Sequence, residues 1–123
     1  MKIYVSHSRS YDFVNELYVP LRSSDLNSQY EFILPHETSS EPFHTKESFQ
    51  THGCDVVLAE VSFPSTGQGI ELGFANLLNI PVVCFYKKEA KISDSLKTIT
   101  DTFIAYQNTD DLLQKLSVEL THV

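Results

Sequence analysis

At 123 residues, with 41% hydrophobic and 20% charged residues and few glycines and prolines, the chain has the make-up of one ordinary globular domain, not of a disordered or low-complexity segment. Its formal net charge of -7, with no lysine or arginine cluster, argues against a nucleic-acid polymer as partner, because a phosphate backbone demands a basic face. No apolar run approaches the roughly 18 residues a bilayer span needs, so no membrane association is expected.

Met1-Lys-Ile-Tyr-Val5 enters strand-like sequence directly, without signal-peptide design, and the spacing of the two cysteines, Cys54 and Cys84, suggests neither zinc nor redox work. A reduced, cytoplasmic protein is the expectation. Lys2 to Ser6 reads as the first strand, followed by the Ser6-His-Ser-Arg-Ser10 loop. A helix follows, with Phe13, Leu17 and Leu21 four apart, Asp12 and Glu16 near its positive end, and a kink or early end expected at Pro20. Residues 22–29 read as polar connection. Tyr30 to Leu34 is a second strand, stopped by Pro35, and His36 to Thr45 is the longest loop. Thr45 is placed to cap a short helix through Lys46, Glu47, Phe49 and Gln50, ending at Gly53.

The most informative stretch begins at Asp55. Val56 to Val61 is nearly all apolar, as in a strand buried on both faces. The chain breaks at Pro64, passes through Ser65, Thr66, Gly67 and Gly69, and restarts as a helix carrying Ile70, Leu72, Phe74, Ala75, Leu77 and Leu78. Strand, small-residue loop and helix form a ligand site at the carboxyl end of a strand, and Glu71 falls in the first turns of that helix. Pro81 to Tyr86 is a fourth strand, Lys87 to Lys97 a polar loop over the carboxyl edge, Thr102 to Ala105 a short fifth strand, and Asp110 to Leu120 a closing helix. Regular alternation of strand and helix predicts a parallel sheet with right-handed crossovers: a flavodoxin-like three-layer α/β sandwich of five strands in order 2-1-3-4-5.

The segment Pro64-Ser-Thr-Gly-Gln-Gly-Ile-Glu-Leu-Gly73, preceded by Asp55-Val-Val-Leu-Ala-Glu-Val61, resembles the nucleoside 2-deoxyribosyltransferase superfamily. It is most similar to the branch of 2'-deoxynucleoside 5'-monophosphate N-glycosidases, whose pattern reads P-S-x-G-x-G-x-E-L-G. The resemblance extends more weakly from Lys2 to about residue 120, which implies one domain of this kind over 1–123. It further implies a glutamate nucleophile at Glu71, an acid at Glu47 where the family usually has aspartate, and the first-strand tyrosine at Tyr4. The phosphate contact would be Ser65, helped by the amides of Gly67 and Gly69. Ser95 or Ser93 would be the serine lent by the neighbouring subunit of a homodimer. In the first loop the family usually reads G-S-I-R, whereas this chain reads Ser6-His-Ser-Arg9, so Ser8 and Arg9 fill those roles by residue type.

Breaking an N-glycosidic bond develops oxocarbenium character at the sugar C1'. A carboxylate below the ring can hold the sugar as an ester while an acid above protonates the departing base, and water or a second base then releases the sugar. Glu71 suits the nucleophile at a helix N-terminus, Tyr4 its orienting partner, and Glu47 the acid if burial raises its pKa. A 5'-phosphate suits the amides at the same helix start. Ser65-Thr-Gly-Gln68 also reads as a capping box, and Glu60 reads as a structural partner beside the site. Of five histidines with no metal spacing, His36, at the end of the second strand, is the one placed to touch the base. No cofactor or metal is called for, and the expected ligand is a small-molecule nucleoside or nucleotide. The serine in the phosphate loop favours hydrolysis of monophosphates over transfer. Two rival readings stand beside this one. Ile3-Tyr-Val-Ser-His-Ser also resembles the start of a TIR domain, which implies an NAD glycohydrolase. The unusual first loop and Glu47 also fit a catalytically inactive nucleotide-binding module.

Overall fold

The structure is a computed structural model that describes residues 1–51 and 53–123. Strands β1 (Lys2–His7), β2 (Glu31–Ile33), β3 (Val56–Glu60), β4 (Val82–Lys87) and β5 (Phe103–Tyr106) form one sheet in the order β2-β1-β3-β4-β5. Every neighbouring pair is parallel. The sheet is the expected one, because each strand is followed by a helical return that must cross over on one face or the other.

Alternation along the strands divides the core into two layers. Ile3, Val5, Leu58, Val83 and Phe85 face Leu17 and Leu21, together with Leu112 and Leu116 of α5 (Thr109–Glu119). Tyr4, Val57, Ala59 and Cys84 face Phe49 of α3 (Thr45–Thr51), and Leu72 and Ala75 of α4 (Thr66–Leu77). The consequence for function lies in β1. Tyr4 and, two residues on, Ser6 point to the α4 side, and His7 points to the opposite layer, against Tyr18 and Phe13.

Several boundaries differ from the sequence reading, each for a physical reason. Residues 22–29 are not only connection: α2 (Leu26–Gln29) forms there because Leu26 is buried in the core. Pro20 does not end its helix. A π turn over Val14–Tyr18 precedes α1 (Val19–Ser23), so Pro20 falls in the first turn of α1, where a missing N–H costs nothing. Part of the loop from Lys87 to Lys97 winds into a 3-10 turn, Asp94–Thr98, capped by Ser93. Thr45 is the first residue of α3, not a cap before it, and its hydroxyl is engaged elsewhere.

Glu60 is 1% exposed and reads as a structural partner. It accepts from the backbone N–H of Ser62 at 2.6 Å, from the Ser62 hydroxyl at 2.8 Å and from the Tyr106 hydroxyl, which ties the ends of β3 and β5 together. Cys84 is fully buried, and burial pushes its thiol up to about 12; Cys54 is half-buried. Among the described residues, no helix is long and apolar enough to cross a membrane, and no group of His, Cys, Asp and Glu could hold a metal ion.

Candidate active site

A cavity of about 330 Å³ opens at the carboxyl end of the sheet, between β1, the loop after β2, and the start of α4. Its wall includes Glu71, His7, Arg9, His36, Thr45 and Ser65. Ligands of open parallel sheets bind at this edge, where the crossovers switch sides.

Glu71 is the sixth residue of α4, in its second turn, where the helix end does little to hold it. Three hydroxyls do instead. Its Oε2 accepts from Thr45 Oγ1 at 2.8 Å and from the Tyr4 hydroxyl; its Oε1 accepts from Ser6 Oγ at 3.0 Å. Charge-assisted bonds of this kind fix the orientation of both carboxylate oxygens. Tyr4 is a lasting donor: burial, then the Glu71 charge, then the bond to Glu71 push its phenol well above the usual range. The partnership of Tyr4 with Glu71 follows the expectation. Ser6 and Thr45 are new. Ser6 was legible in principle from the period of two along β1, whereas Thr45 is far in sequence and carries no local signal.

The α4 start is arranged partly as expected. Ser65 is the N-cap, accepting from Gln68 N–H at 3.3 Å, but the Gln68 side chain does not close the capping box. It donates to the Glu60 carbonyl at 2.8 Å, fastening the helix to the end of β3. Gly69 N–H already donates to the Ser65 carbonyl at 3.1 Å, so its amide is committed. Thr66 and Gly67 N–H have no such partner among the described residues and are the donors left for an anion. Ser65 and Gly67 line the Glu71 cavity. Gly69 and Ser95, with Ser93, line a second cavity of about 340 Å³ on the other flank of the loop, also reached by Ser65.

Arg9 lines the main cavity and donates from Nη1 to the Ser40 carbonyl at 2.9 Å. Ser8 does not reach it. It is buried, and its hydroxyl lies 2.8 Å from that of Ser10. Glu47 is exposed and lines a neighbouring groove with Phe43, His44, Gln50 and Phe74. The burial that would make it an acid is therefore not supplied within this chain. His36 does line the cavity.

Comparisons with known proteins come from two directions. A stretch of 39 residues, 32% of this chain, is 46% identical to a Methanosarcina barkeri (strain Fusaro / DSM 804) protein whose name carries a provisional assignment as 2'-deoxynucleoside 5'-phosphate N-hydrolase 1. That match spans about a quarter of the relative's length, 24%. The fold is similar to that of the Clostridium botulinum CMP N-glycosidase BcmB, with a TM-score of 0.66 and 16% identity over 97% of this chain and 99% of that one. No protein-family model matches the chain. The resemblance read from the Pro64–Gly73 segment thus agrees with both matches, in sequence locally and in fold throughout.

Proposed function

We propose that this chain cleaves the N-glycosidic bond of 2'-deoxynucleosides or their 5'-monophosphates, with Glu71 as nucleophile and water as acceptor. The observation that carries the reading is a carboxylate held by three hydroxyls, Tyr4, Ser6 and Thr45, on the wall of a cavity at the carboxyl edge of the sheet. The names of the matched proteins, an N-hydrolase and an N-glycosidase, support the reaction class.

One Glu71 oxygen attacks C1' as the C1'–N bond breaks, its electron pair leaving with the base, and the sugar remains as a glycosyl ester. The base takes a proton from the acid, Glu47; water then attacks C1', passing a proton to the Glu47 carboxylate, the ester C1'–O bond breaks, and Glu71 is freed with release of the sugar. Tyr4, Ser6 and Thr45 keep the carboxylate aimed throughout. A 5'-phosphate is held by Ser65, Arg9 and the amides of Thr66 and Gly67 at the start of α4. Hydrolysis is favoured over transfer because that loop supplies a phosphate-binding serine.

The working form is a homodimer. Ile70 is 55% and Leu77 77% exposed on one side of α4, beside the groove that holds Glu47. A second copy laid there removes apolar surface from water and supplies the burial Glu47 needs to act as an acid. Ser95 remains the candidate for a residue lent across the interface.

The test is chromatography of free base after incubation with 2'-deoxynucleoside 5'-monophosphates, the unphosphorylated nucleosides and NAD in parallel, with Glu71→Ala as control. Base released from monophosphates and lost in the variant is the expected result. Nicotinamide released from NAD alone would move the protein to the TIR-like reading. A folded sample that releases nothing would leave a nucleotide-binding module.

A further inference from the structure

Four titratable side chains line the Glu71 cavity: His7, Arg9, His36 and Glu71 itself. Three are committed. Glu71 is held by the Tyr4, Ser6 and Thr45 hydroxyls, and Arg9 donates to the Ser40 carbonyl. His7 uses both ring nitrogens. Its Nδ1–H donates to the Ser8 carbonyl at 2.8 Å, which leaves Nε2 to accept from the Tyr18 hydroxyl at 2.7 Å. Burial first of all lowers its pKa to about 4, so this neutral tautomer, assigned from the bonding pattern, persists near neutrality.

His36 is the exception. Its backbone N–H donates to the Tyr18 oxygen at 3.0 Å, and its ring stands edge-on to His7 at 5.8 Å. Neither ring nitrogen has a hydrogen-bond partner among the described residues, and Nδ1 is buried. A buried nitrogen without an acceptor is better left as a bare lone pair than as an N–H. In the neutral ring this bonding pattern assigns the proton to Nε2, the nitrogen left to a ligand. An unpaired donor on the wall of a cavity is a group waiting for a partner.

We propose that His36 contacts the leaving base, donating from Nε2–H to the ring nitrogen or carbonyl oxygen that gains negative charge as the C1'–N bond breaks, and that Tyr18, backed by His7, is the positioning residue for His36. The proposal rests on the glycosidase reading above. The electron balance is that of the first step: the C1'–N pair goes to the base, the C1'–O bond to Glu71 forms, and His36 keeps its proton while its hydrogen bond strengthens. A donor that meets developing charge acts on the transition state more than on the ground state. The Tyr18 hydroxyl is the hinge of the arrangement, since it accepts from His36 and donates to His7 at once.

The distinguishing property is dependence on the leaving group. Base release is measured for wild type, His36→Ala, His36→Gln and Tyr18→Phe on two pairs of 2'-deoxynucleoside 5'-monophosphates: uracil against 5-fluorouracil, and guanine against 7-methylguanine. The second member of each pair carries a base that departs with less help. His36→Ala is expected to slow the poorer leaving group by about tenfold to a hundredfold and the better one by much less. His36→Gln, which keeps a donor, recovers part of the loss, and Tyr18→Phe shows the same leaving-group dependence at smaller size. A loss of equal size within each pair would overturn the contact with the base while leaving the glycosidase reading intact. A wild-type protein that releases no base from any of the four would overturn that reading, and this inference with it.

Discussion

Glu71 owes its orientation to residues from three separate parts of the chain: Tyr4 and Ser6 on β1, Thr45 at the start of α3, and its own helix. Tyr4→Phe removes one donor and keeps the packing of a side chain that is fully buried. A hydrogen bond to a charged group is worth about 1.5–3 kcal/mol, so kcat/KM for base release should fall by about tenfold to a hundredfold with little change in KM. Unchanged kinetics would mean that Thr45 and Ser6 aim the carboxylate alone. His7 gives a different kind of prediction. Its pKa is lowered to about 4 in the folded chain, against an ordinary 6.5, so between those values the unfolded chain binds the extra proton. Its contribution to stability is whole above pH 6.5 and is lost as pH falls towards 4. Urea unfolding of the wild type should therefore lose up to about 1.4 kcal/mol per pH unit over that window that His7→Gln does not lose. Parallel pH profiles for the two proteins would contradict the burial of a neutral imidazole.

The helix α4 is costly in glycine for an element this central. Gly67, Gly69 and Gly73 lie within it, none has a positive φ, and a Cβ at any of them would meet nothing within 4 Å. Neither backbone conformation nor contacts inside the chain call for them. Each gives up roughly 0.5–1 kcal/mol of stability relative to alanine. Gly67 lines the cavity and belongs to the phosphate contact proposed above, where a Cβ would stand in the way of a closely approaching ligand. Gly67→Ala should raise the denaturation midpoint, by about 0.5–1 kcal/mol of stability, and raise KM for a monophosphate relative to its nucleoside. A stabilised variant with an unchanged ratio would remove Gly67 from the phosphate contact. The loops on either side of the cavity are joined as well. Tyr11 stacks on Phe63 at 4.9 Å, and Lys87 Nζ lies over both rings at 5.3 and 5.4 Å while paired with Glu16. This clamp fixes the loop of Arg9 against the loop of Ser65.

At the scale of the whole molecule, the open question is what covers the outer side of α4. Ile70, Leu77 and Phe43 are exposed there in a chain whose sheet is otherwise well covered. Leu77→Glu places a charge at the carboxyl end of that face, six residues beyond Glu71. Light scattering should show the wild type as a dimer at micromolar concentration and Leu77→Glu as a monomer, with base release reduced in step with dissociation. A wild type that is monomeric and fully active would sink the dimer and, with it, the burial proposed for Glu47.

The sequence by itself determined the architecture, because alternating apolar strands and helices of these lengths have few ways to bury their faces, and a parallel sheet in order 2-1-3-4-5 is the one observed. The family resemblance of the Pro64–Gly73 segment named Glu71 and Tyr4 together, and in the structure the two are hydrogen-bonded. Local chemistry misled where tertiary contacts outbid it. Thr45 read as a cap and instead bonds Glu71; Gln68 read as half of a capping box and instead holds β3; Gly69 read as an anion donor and instead makes the first bond of its helix. The tertiary structure alone decided that Glu47 lies outside the cavity, and that His36, read from the sequence as a base contact, lines it with no hydrogen-bond partner for either ring nitrogen among the described residues. Spacing along a chain fixes which face of its own element a side chain takes, but the meeting of side chains from distant elements depends on how those elements pack, and no local pattern records that.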